Sequence, residues 1–321
     1  MENQVKVIVL NSHGIGHFVY LAQLPRLGET VRAKKWEFSE DAAKGTDVAV
    51  ALGKLGVKTA FVCRVGADDA GKKGEQWLSE AGVDSTYYIQ SPHVQTGVGI
   101  TIMLEDGENS IIGSEKRETP TTEEDARNAI DAFPNAEYFV SGFEIDQRLS
   151  LEACKYAKSK GKITILNPSP IMEPITGKLN YIDYLFYNEI EGCQLLDIED
   201  DCTDYGMMAK TIAEHYGVQV SAMTLGRNGC YVYGNGVDRY FPPFDMPRVA
   251  TIGAGDGFMA AYTAGLVWGM DDATAAEWAN RYAGVLVSRD GSIRSYPWLD
   301  EVEQYIIGLP IKNKLMEKEL F

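Results

Sequence analysis

The sequence predicts a layered α/β fold in which helices cover a mainly parallel β-sheet. Two observations predict it: short β-branched and apolar runs recur along the chain, and stretches of helical period separate most of them. The chain has 321 residues and is 45% hydrophobic, which is enough to build one large buried core.

The predicted strands and helices alternate in chain order. The strand candidates are Val5–Leu10, Thr59–Cys63, Tyr138–Val140, Ile163–Leu166, Tyr184–Tyr187 and Val218–Leu225. Between the first two runs, one helix face is predicted by the spacing of Val48, Ala51, Leu52 and Leu55. Before the last run, the same spacing recurs at Tyr205, Met208, Ala209, Ile212 and Ala213. Strand–helix–strand order of this kind gives parallel strands joined by crossover helices.

Two regions, at about residues 17–41 and 95–117, break this alternation because they leave too little room for crossover helices. They predict antiparallel strands outside the main sheet, joined by turn residues such as Asp106-Gly107. Two interpretations stay open: a pair of edge hairpins, or a small β-sheet lid over a ligand. We predict a single domain over residues 1–310, followed by a charged tail at 311–321.

Charge and composition exclude several classes of partner. The 46 acidic and 30 basic side chains give a net charge of −16, which repels nucleic acids and anionic membranes. The longest apolar stretch, residues 258–270, is shorter than the roughly 20 residues that cross a bilayer. An odd number of cysteines without zinc-site spacing, and an N-terminus without a signal-peptide pattern, indicate a cytoplasmic protein.

The strongest chemical signal is the segment ATIGAGDGF at residues 250–258, which opens a helical run. Gly253 and Gly255 let free backbone amides converge on an anion at the helix N-terminus. Asp256 falls in the first turn, where a carboxylate repels an anion but suits a general base that deprotonates an attacking hydroxyl. A first-turn Asp is also a common partner of the helix dipole, but the whole cluster favours function.

Two further clusters follow predicted strands. Asn188 and Glu191 offer the hard oxygen ligands that suit Mg²⁺, although the same spacing is that of an ordinary capping box. The segment TLGRNG at 224–229 offers a hydroxyl, flexible backbone and a cation for nucleotide phosphates, and is equally typical of a hairpin turn. At the start of the early helix, the segment KGTD at 44–47 either caps the helix or binds a hydroxyl-rich ligand.

In chain order these segments resemble the motifs of the ribokinase-like (PfkB) family of carbohydrate and nucleoside kinases. The similarity extends from about residue 24 to residue 297. It is carried by LPRLGET, KGTDVAVALGKLG, FVCRVGADDAGKKGEQWLSEAGVD, ILNPSP, YNEIE, MTLGRNG, ATIGAGDGF and RDGSIRSYP. Several motifs in the family's order are far more specific than any one of them.

The resemblance implies a ribokinase-like three-layer α/β/α fold with a small β-sheet lid. It also implies transfer of the γ-phosphoryl group of ATP, with Mg²⁺, to a hydroxyl of a small sugar-like substrate. Asp256 is then the catalytic base, and the amides of Gly253, Ala254 and Gly255 form the anion hole. The nucleotide and metal side is implied to use Asn188 for the phosphates, Glu191 for Mg²⁺, Thr224, Gly226 and Gly229 along the nucleotide, and Asn280 near its base.

The departures from the family pattern lie on the acceptor and cation side. Ala250 replaces an Asp that often binds a monovalent cation, so potassium dependence is left open. Gly14 and Gly16 stand where the family places Asn and Asp, and Asp47 stands where it has Asn. We therefore predict an unusual acceptor pocket, with substrate contacts from His13, Gly14, Gly16, His17, Lys44, Gly45 and Asp47. A minority alternative is an anionic acceptor, bound by Lys116 or Arg117 of the lid.

Other functions stay open at this point. A nucleoside kinase of the same fold would stack a base on the lid aromatics Phe18, Tyr20 and Trp36. A ligand sensor without activity would explain the altered acceptor motifs, and a dinucleotide oxidoreductase rests on the pair Gly14 and Gly16 alone. Because exposed strand edges tend to pair, we expect a homodimer through the lid. The acceptor and the phosphorylated hydroxyl are left open.

Overall fold

The computed structural model describes residues 4–105, 109–113, 121–199, 203–306 and 309. The predicted turn at Asp106-Gly107, the lid residues Lys116 and Arg117, and the tail at 311–321 lie outside these residues. In the described part of the chain the strands are β1 (Val7–Leu10), β2 (Gly14–Leu21), β3 (Lys35–Ala42), β4 (Thr59–Gly66), β5 (Tyr88–Ser91), β6 (Gly97–Leu104), β7 (Asn109–Gly113), β8 (Tyr138–Gly142), β9 (Ile163–Asn167), β10 (Tyr184–Asn188), β11 (Val220–Thr224), β12 (Cys230–Gly234) and β13 (Val237–Phe241).

The helices follow the apolar periods of the sequence. They are α1 (Lys44–Lys54), α2 (Asp69–Glu80), α3 (Glu123–Ala132), α4 (Gln147–Ser159), α5 (Glu189–Leu196), α6 (Tyr205–Tyr216), α7 (Ala254–Val267), α8 (Asp272–Val287) and α9 (Leu299–Ile306). The predicted apolar face of α6 is buried, as Met208, Ala209, Ile212 and Ala213 all pack into the core. Helix α7 is apolar around its whole circumference, which fits its burial over ten successive positions, residues 256–265.

The main sheet has the order β13-β12-β11-β10-β9-β8-β1-β4-β5 among the described residues. All its pairs are parallel except β11/β12 and β12/β13, which form an antiparallel meander at one edge. One face of the sheet packs against α1, α2, α7 and α8, and the other against α3, α4, α5 and α6. The two apolar layers confirm the predicted three-layer arrangement with a mainly parallel sheet.

The regions at 17–41 and 95–117 form a second sheet of order β3-β2-β6-β7 within the described residues. A separate small sheet confirms the lid rather than hairpins on the main sheet. The prediction that its strands are all antiparallel was wrong at the centre, where β2 and β6 run parallel over residues 14–21 and 97–104. The long connection between β2 and β6 passes through the main sheet, so no tight turn fixes their relative direction.

Among the described residues, no helix combines the length and apolar character that crossing a bilayer requires.

Candidate active site

Several polar side chains follow strands at the carboxyl edge of the main sheet. Ser12 comes two residues after β1, Glu144 two residues after β8, and Asn188 and Thr224 end β10 and β11 in paired register. Parallel strands end at the same edge of a sheet, which is where open α/β folds bind ligands. This edge therefore brings together side chains that are far apart in the sequence.

The N-terminus of α7 faces this edge and depends on its glycines. Gly253 precedes the helix with a left-handed backbone (φ 73°), and a Cβ there would lie 2.4 Å from the hydroxyl of Tyr296. A Cβ at Gly255 would meet no atom of the described residues within 4 Å, so this backbone borders open space. A ligand can thus approach the first-turn amides of the helix closely, as anion binding requires.

Asp256 is buried, with 7% of its surface exposed, in the first turn of α7. Burial raises the pKa of its carboxyl group to about 6, and the nearby carboxylates of Glu144 and Glu191 act in the same direction, while Lys44 opposes them. A carboxylate with a pKa just below neutral is ionised at neutral pH and yet basic enough to accept a proton in catalysis.

Lys44 is the cation beside this carboxylate. Its Nζ lies 3.8 Å from Asp256 Oδ2, and its pKa is raised chiefly by Asp256. The backbone N–H of Lys44 and the hydroxyl of Ser12 both donate to the same oxygen of Glu144, at 2.9 and 2.7 Å. These bonds connect the start of α1 to the ends of β1 and β8. Gly45 permits this approach, because a Cβ there would lie 2.4 Å from the carbonyl oxygen of Ser12.

Asp47 lies on α1, three residues after Lys44, and only 3% of its surface is exposed. Its Oδ1 has no hydrogen-bond partner in the described part of the structure. Its other carboxylate oxygen is 3.9 Å from the position of a Cβ at Gly253, so it adjoins the predicted anion hole. Burial raises the pKa of Asp47 well above its usual value, and the carboxylates of Asp41 and Asp256 raise it further.

On the predicted nucleotide side, Asn188 and Glu191 form a capping box at the start of α5. The Asn188 side chain accepts from the N–H of Glu191 at 2.8 Å, and the Glu191 carboxylate accepts from the N–H of Asn188 at 2.9 Å. The ordinary helix start anticipated for this pair is therefore present. Glu191 also acts electrostatically on Lys44 and Asp256, so its carboxylate lies within range of the same cleft.

The segment at 224–229 turns from β11 into β12 through a single 3₁₀ turn at Gly226–Asn228. A Cβ at Gly226 would meet no atom of the described residues within 4 Å, whereas a Cβ at Gly229 would lie 2.2 Å from the carbonyl oxygen of Phe241. Asn280 of α8 is buried and donates to the carbonyl oxygens of Phe241 and Pro242, at 3.3 and 3.1 Å. It anchors the segment after β13, next to Gly229.

The predicted acceptor residues divide into three groups. Lys44, Gly45 and Asp47 lie around Asp256, whereas His13 points into the core. The His13 ring contacts Trp77 and Tyr88, and its nitrogens bond to Thr46 Oγ1 at 2.8 Å and to the carbonyl oxygen of Ala70 at 3.1 Å. Burial lowers the pKa of His13 to about 4, so the ring is neutral.

The third group, Gly14, Gly16 and His17, belongs to the lid strand β2. The His17 ring packs edge-on against Phe38 of β3 at a centroid distance of 5.4 Å. Gly14 lies close to Ala43 at the start of α1, and Gly16 pairs directly with Asp41 across the lid sheet. Of the lid aromatics, Phe18 is buried, the Tyr20 hydroxyl donates to Glu37, and Trp36 stacks on Phe38.

Sequence reasoning missed Glu144 and Asp41. Glu144 carries a recognisable signal, because it follows a predicted strand in the same way as Asn188 follows another. Asp41 carries none, since it is the second-last residue of a lid strand and is placed at the cleft by the pairing of that strand with β2.

A comparison with protein families agrees with the arrangement of this site. Residues 15–299 match the family described as pfkB family carbohydrate kinase. The chain belongs to this family. The match spans most of the sequence and confirms the resemblance drawn from the ordered motifs, and with it an ATP-dependent carbohydrate kinase.

Relatives of this PfkB chain include a ribokinase of Staphylococcus aureus (strain COL), 27% identical over 303 residues, which cover 93% of this chain and 99% of the relative. A deoxyribokinase of Salmonella typhi is 26% identical over 306 residues, covering 94% and 98%. The structure of Arabidopsis thaliana ribokinase complexed with ribose and ATP superposes with a TM-score of 0.80 at 26% identity, covering 95% of this chain and 99% of the other. The superposition confirms the ribokinase-like fold.

Proposed function

We propose that this chain transfers the γ-phosphoryl group of ATP to a hydroxyl of a small polyhydroxylated sugar or sugar derivative, with Asp256 as general base. The observation that carries the proposal is the place of Asp256: it is buried in the first turn of α7, beside the open backbone of Gly255, with a pKa of about 6. The carboxylate takes the proton of the acceptor hydroxyl while that oxygen attacks the γ-phosphorus and ADP leaves.

The first-turn amides of α7 supply the positive end of the helix dipole. Negative charge on the transferring group is stabilised there by donors that are already oriented, so no reorganisation is needed during transfer. The left-handed backbone of Gly253 directs the chain into this turn. Ala254 continues the cradle, although its N–H also lies 3.3 Å from the carbonyl oxygen of Thr251.

The residues fit a metal ion that is bound mainly through the nucleotide. Among the described residues, no group of three His, Cys, Asp or Glu side chains is arranged to hold a metal. Mg²⁺ is commonly coordinated by one or two carboxylates together with phosphate oxygens and water. Glu191, whose carboxylate accepts from the N–H of Asn188, would be the carboxylate ligand. When bound, Mg²⁺ neutralises charge on the phosphate oxygens. Thr224, Gly226 and Gly229 would line the nucleotide.

The acceptor side favours a sugar-like compound held by Lys44, Asp47 and Glu144. The Staphylococcus aureus relative is a ribokinase and the Arabidopsis enzyme was solved with ribose and ATP, which supports a compact sugar as acceptor. Gly14 and Gly16 offer only backbone here, so we propose that the acceptor is not bound in the way that the family binds ribose.

The variant Asp256→Asn tests the proposal. Removal of the base should lower kcat by about 10²–10⁴-fold while ATP affinity, measured by calorimetry, stays near the wild-type value. Asp300→Asn, at an exposed position on α9, is the matched control and should keep the full rate. A wild-type rate of ADP release from Asp256→Asn, with the phosphorylated acceptor confirmed by mass spectrometry, would remove Asp256 from the mechanism.

The lid also supports a homodimer. Trp36, Phe38 and Ile112 are large apolar side chains on the lid strands, and 66% of the Phe38 surface is exposed. We propose that a second copy of the chain covers this face, because an apolar sheet face with unpaired edges favours association.

A further inference from the structure

The lid strands bring a carboxylate to the active site from an unexpected position. Gly16 of β2 and Asp41 of β3 are directly paired, and a Cβ at residue 16 would lie 2.6 Å from the Cβ of Asp41. Such a contact is too close for two side chains, so a side chain at residue 16 and the present position of Asp41 exclude each other. The carboxylate of Asp41 therefore occupies the space that a side chain at residue 16 would fill.

The two carboxylate oxygens of Asp41 differ in their hydrogen bonds. Oδ1 accepts a hydrogen bond from the Ser292 hydroxyl and another, at 3.0 Å, from the N–H of Ala42. Oδ2 has no hydrogen-bond donor among the described residues. Asp41 is nevertheless 8% exposed and thus nine-tenths buried. An oxygen without a donor, on a largely buried carboxylate whose other oxygen is already hydrogen-bonded, is suited to receive a donor from a ligand.

Asp47 supplies a second carboxylate oxygen without a hydrogen-bond partner among the described residues. Asp47 is 3% exposed, and its Oδ1 lacks a partner in the described structure. Asp41 is the strongest electrostatic influence on Asp47 after burial itself, and the other oxygen of Asp47 adjoins Gly253 at the start of α7. Both also interact with Asp256. The pair therefore borders the base and is not a separate surface cluster.

The charges of the cleft are strongly unbalanced. Asp47 interacts with the carboxylates of Asp41, Asp256 and Glu144, whereas the cations that act on this group among the described residues are Lys44 and, on Asp47, Lys54. Lys44 lies closest to Asp256, at 3.8 Å, and it also acts on Asp41 and Asp47, so several carboxylates share this one cation. In a site with little water, a further negative charge is repelled and a positive one is attracted.

An ammonium group meets all of these conditions. It carries three donors and no acceptor, so it can donate to more than one carboxylate, and its charge offsets the excess of carboxylates. A hydroxyl has one donor and leaves the charge unchanged. We infer that Asp41 and Asp47 form an acceptor subsite for a protonated amino group, so that the substrate is an amino sugar or a similar polyhydroxylated amine.

This inference rests on the proposed kinase function and is tested with a matched set of acceptors. The set contains an amino sugar, its neutral parent sugar and its uronic acid, in both the pentose and hexose series. ADP release with MgATP gives kcat/KM for each, and calorimetry gives binding in the absence of ATP. We expect the amino sugar to exceed its neutral parent by about tenfold in kcat/KM and the uronic acid to be worst, because a charge-assisted hydrogen bond is about twice as strong as a neutral one.

Two nearly isosteric variants test whether Asp41 and Asp47 cause the preference for the amino sugar. Asp47→Asn and Asp41→Asn should each reduce the ratio of amino to neutral kcat/KM by about tenfold, mainly through KM of the amino sugar. Asp69→Asn, at an exposed position on α2, is the control and should leave the ratio unchanged. Thermal unfolding of each variant checks that the fold is retained, and the ratio itself is insensitive to loss of active protein.

The outcomes separate this inference from the proposed function. A neutral sugar that is phosphorylated as well as its amino counterpart, or a uronic acid that is preferred, overturns the amine subsite and leaves the kinase intact. An equal effect of Asp47→Asn on both sugars also overturns it. If no acceptor yields ADP, the kinase proposal fails, and the calorimetric preference for the amine still decides whether the subsite exists.

Discussion

Replacing Lys44 by glutamine should move the acid limb of the pH–rate profile to higher pH. The proposed general base Asp256 would work in its ionised form, so we expect activity to fall as the pH falls through its pKa of about 6. Lys44 favours the ionised form, with its Nζ 3.8 Å from Asp256 Oδ2. Without this cation the carboxyl group binds its proton more tightly, and a higher pH is needed to free the base.

The size of the shift follows from the distance. At close to 4 Å two unit charges interact by about 4 kcal/mol at an effective dielectric constant of 20 and by about 1 kcal/mol in bulk water. The Lys44 side chain is 34% exposed, so solvent screens the pair and the lower half of that range applies. At 1.36 kcal/mol per pKa unit, we expect the limb to move by roughly 1–2 pH units.

The assay is kcat/KM for the best acceptor, measured at saturating MgATP between pH 5 and pH 9. Glu144→Gln is the matched control, because Glu144 raises the pKa of Asp256 and its removal should shift the limb to lower pH. Both variants should also weaken acceptor binding if the proposed acceptor site is correct, so the informative quantity is the position of the limb and not the rate. A limb that stays in place, or that moves in the same direction in both variants, would refute the electrostatic account of Asp256.

Three further predictions concern other parts of the molecule. Gly253→Ala should lower the free energy of unfolding by about 1–2 kcal/mol from its left-handed backbone alone, whereas Gly255→Ala, which has open space and a helical backbone, should not destabilise the fold in thermal unfolding. The methyl group of Ala250 cannot bind a cation, so the rate should be the same in potassium and tetramethylammonium salts. Activation by potassium would contradict this. Phe38→Glu should convert a dimer into a monomer in sedimentation equilibrium, and a wild-type monomer would exclude the lid interface.

The parts of the fold that the sequence predicted are those with local causes. The apolar face of α6 repeats within a few residues, and the capping box at Asn188 and Glu191 spans one helical turn. The segment at 253–256 predicted an anion site, because glycines at the start of a helix leave its first backbone amides open to a ligand in any tertiary setting. Asp256 in the same turn predicted the base. The roles of these site residues stay predictions until they are tested.

Tertiary structure decided what depends on pairing between distant segments. His13 follows β1 as an acceptor residue would, yet neighbours from α1 and α2 enclose its ring. Glu144 and Asp41 reach Asp256 through strand order and lid register, which residue periodicity does not encode. A sequence fixes the kind of element within a few residues. The charge that a carboxylate experiences is set by groups a hundred or more positions away, and only the folded chain brings those groups together.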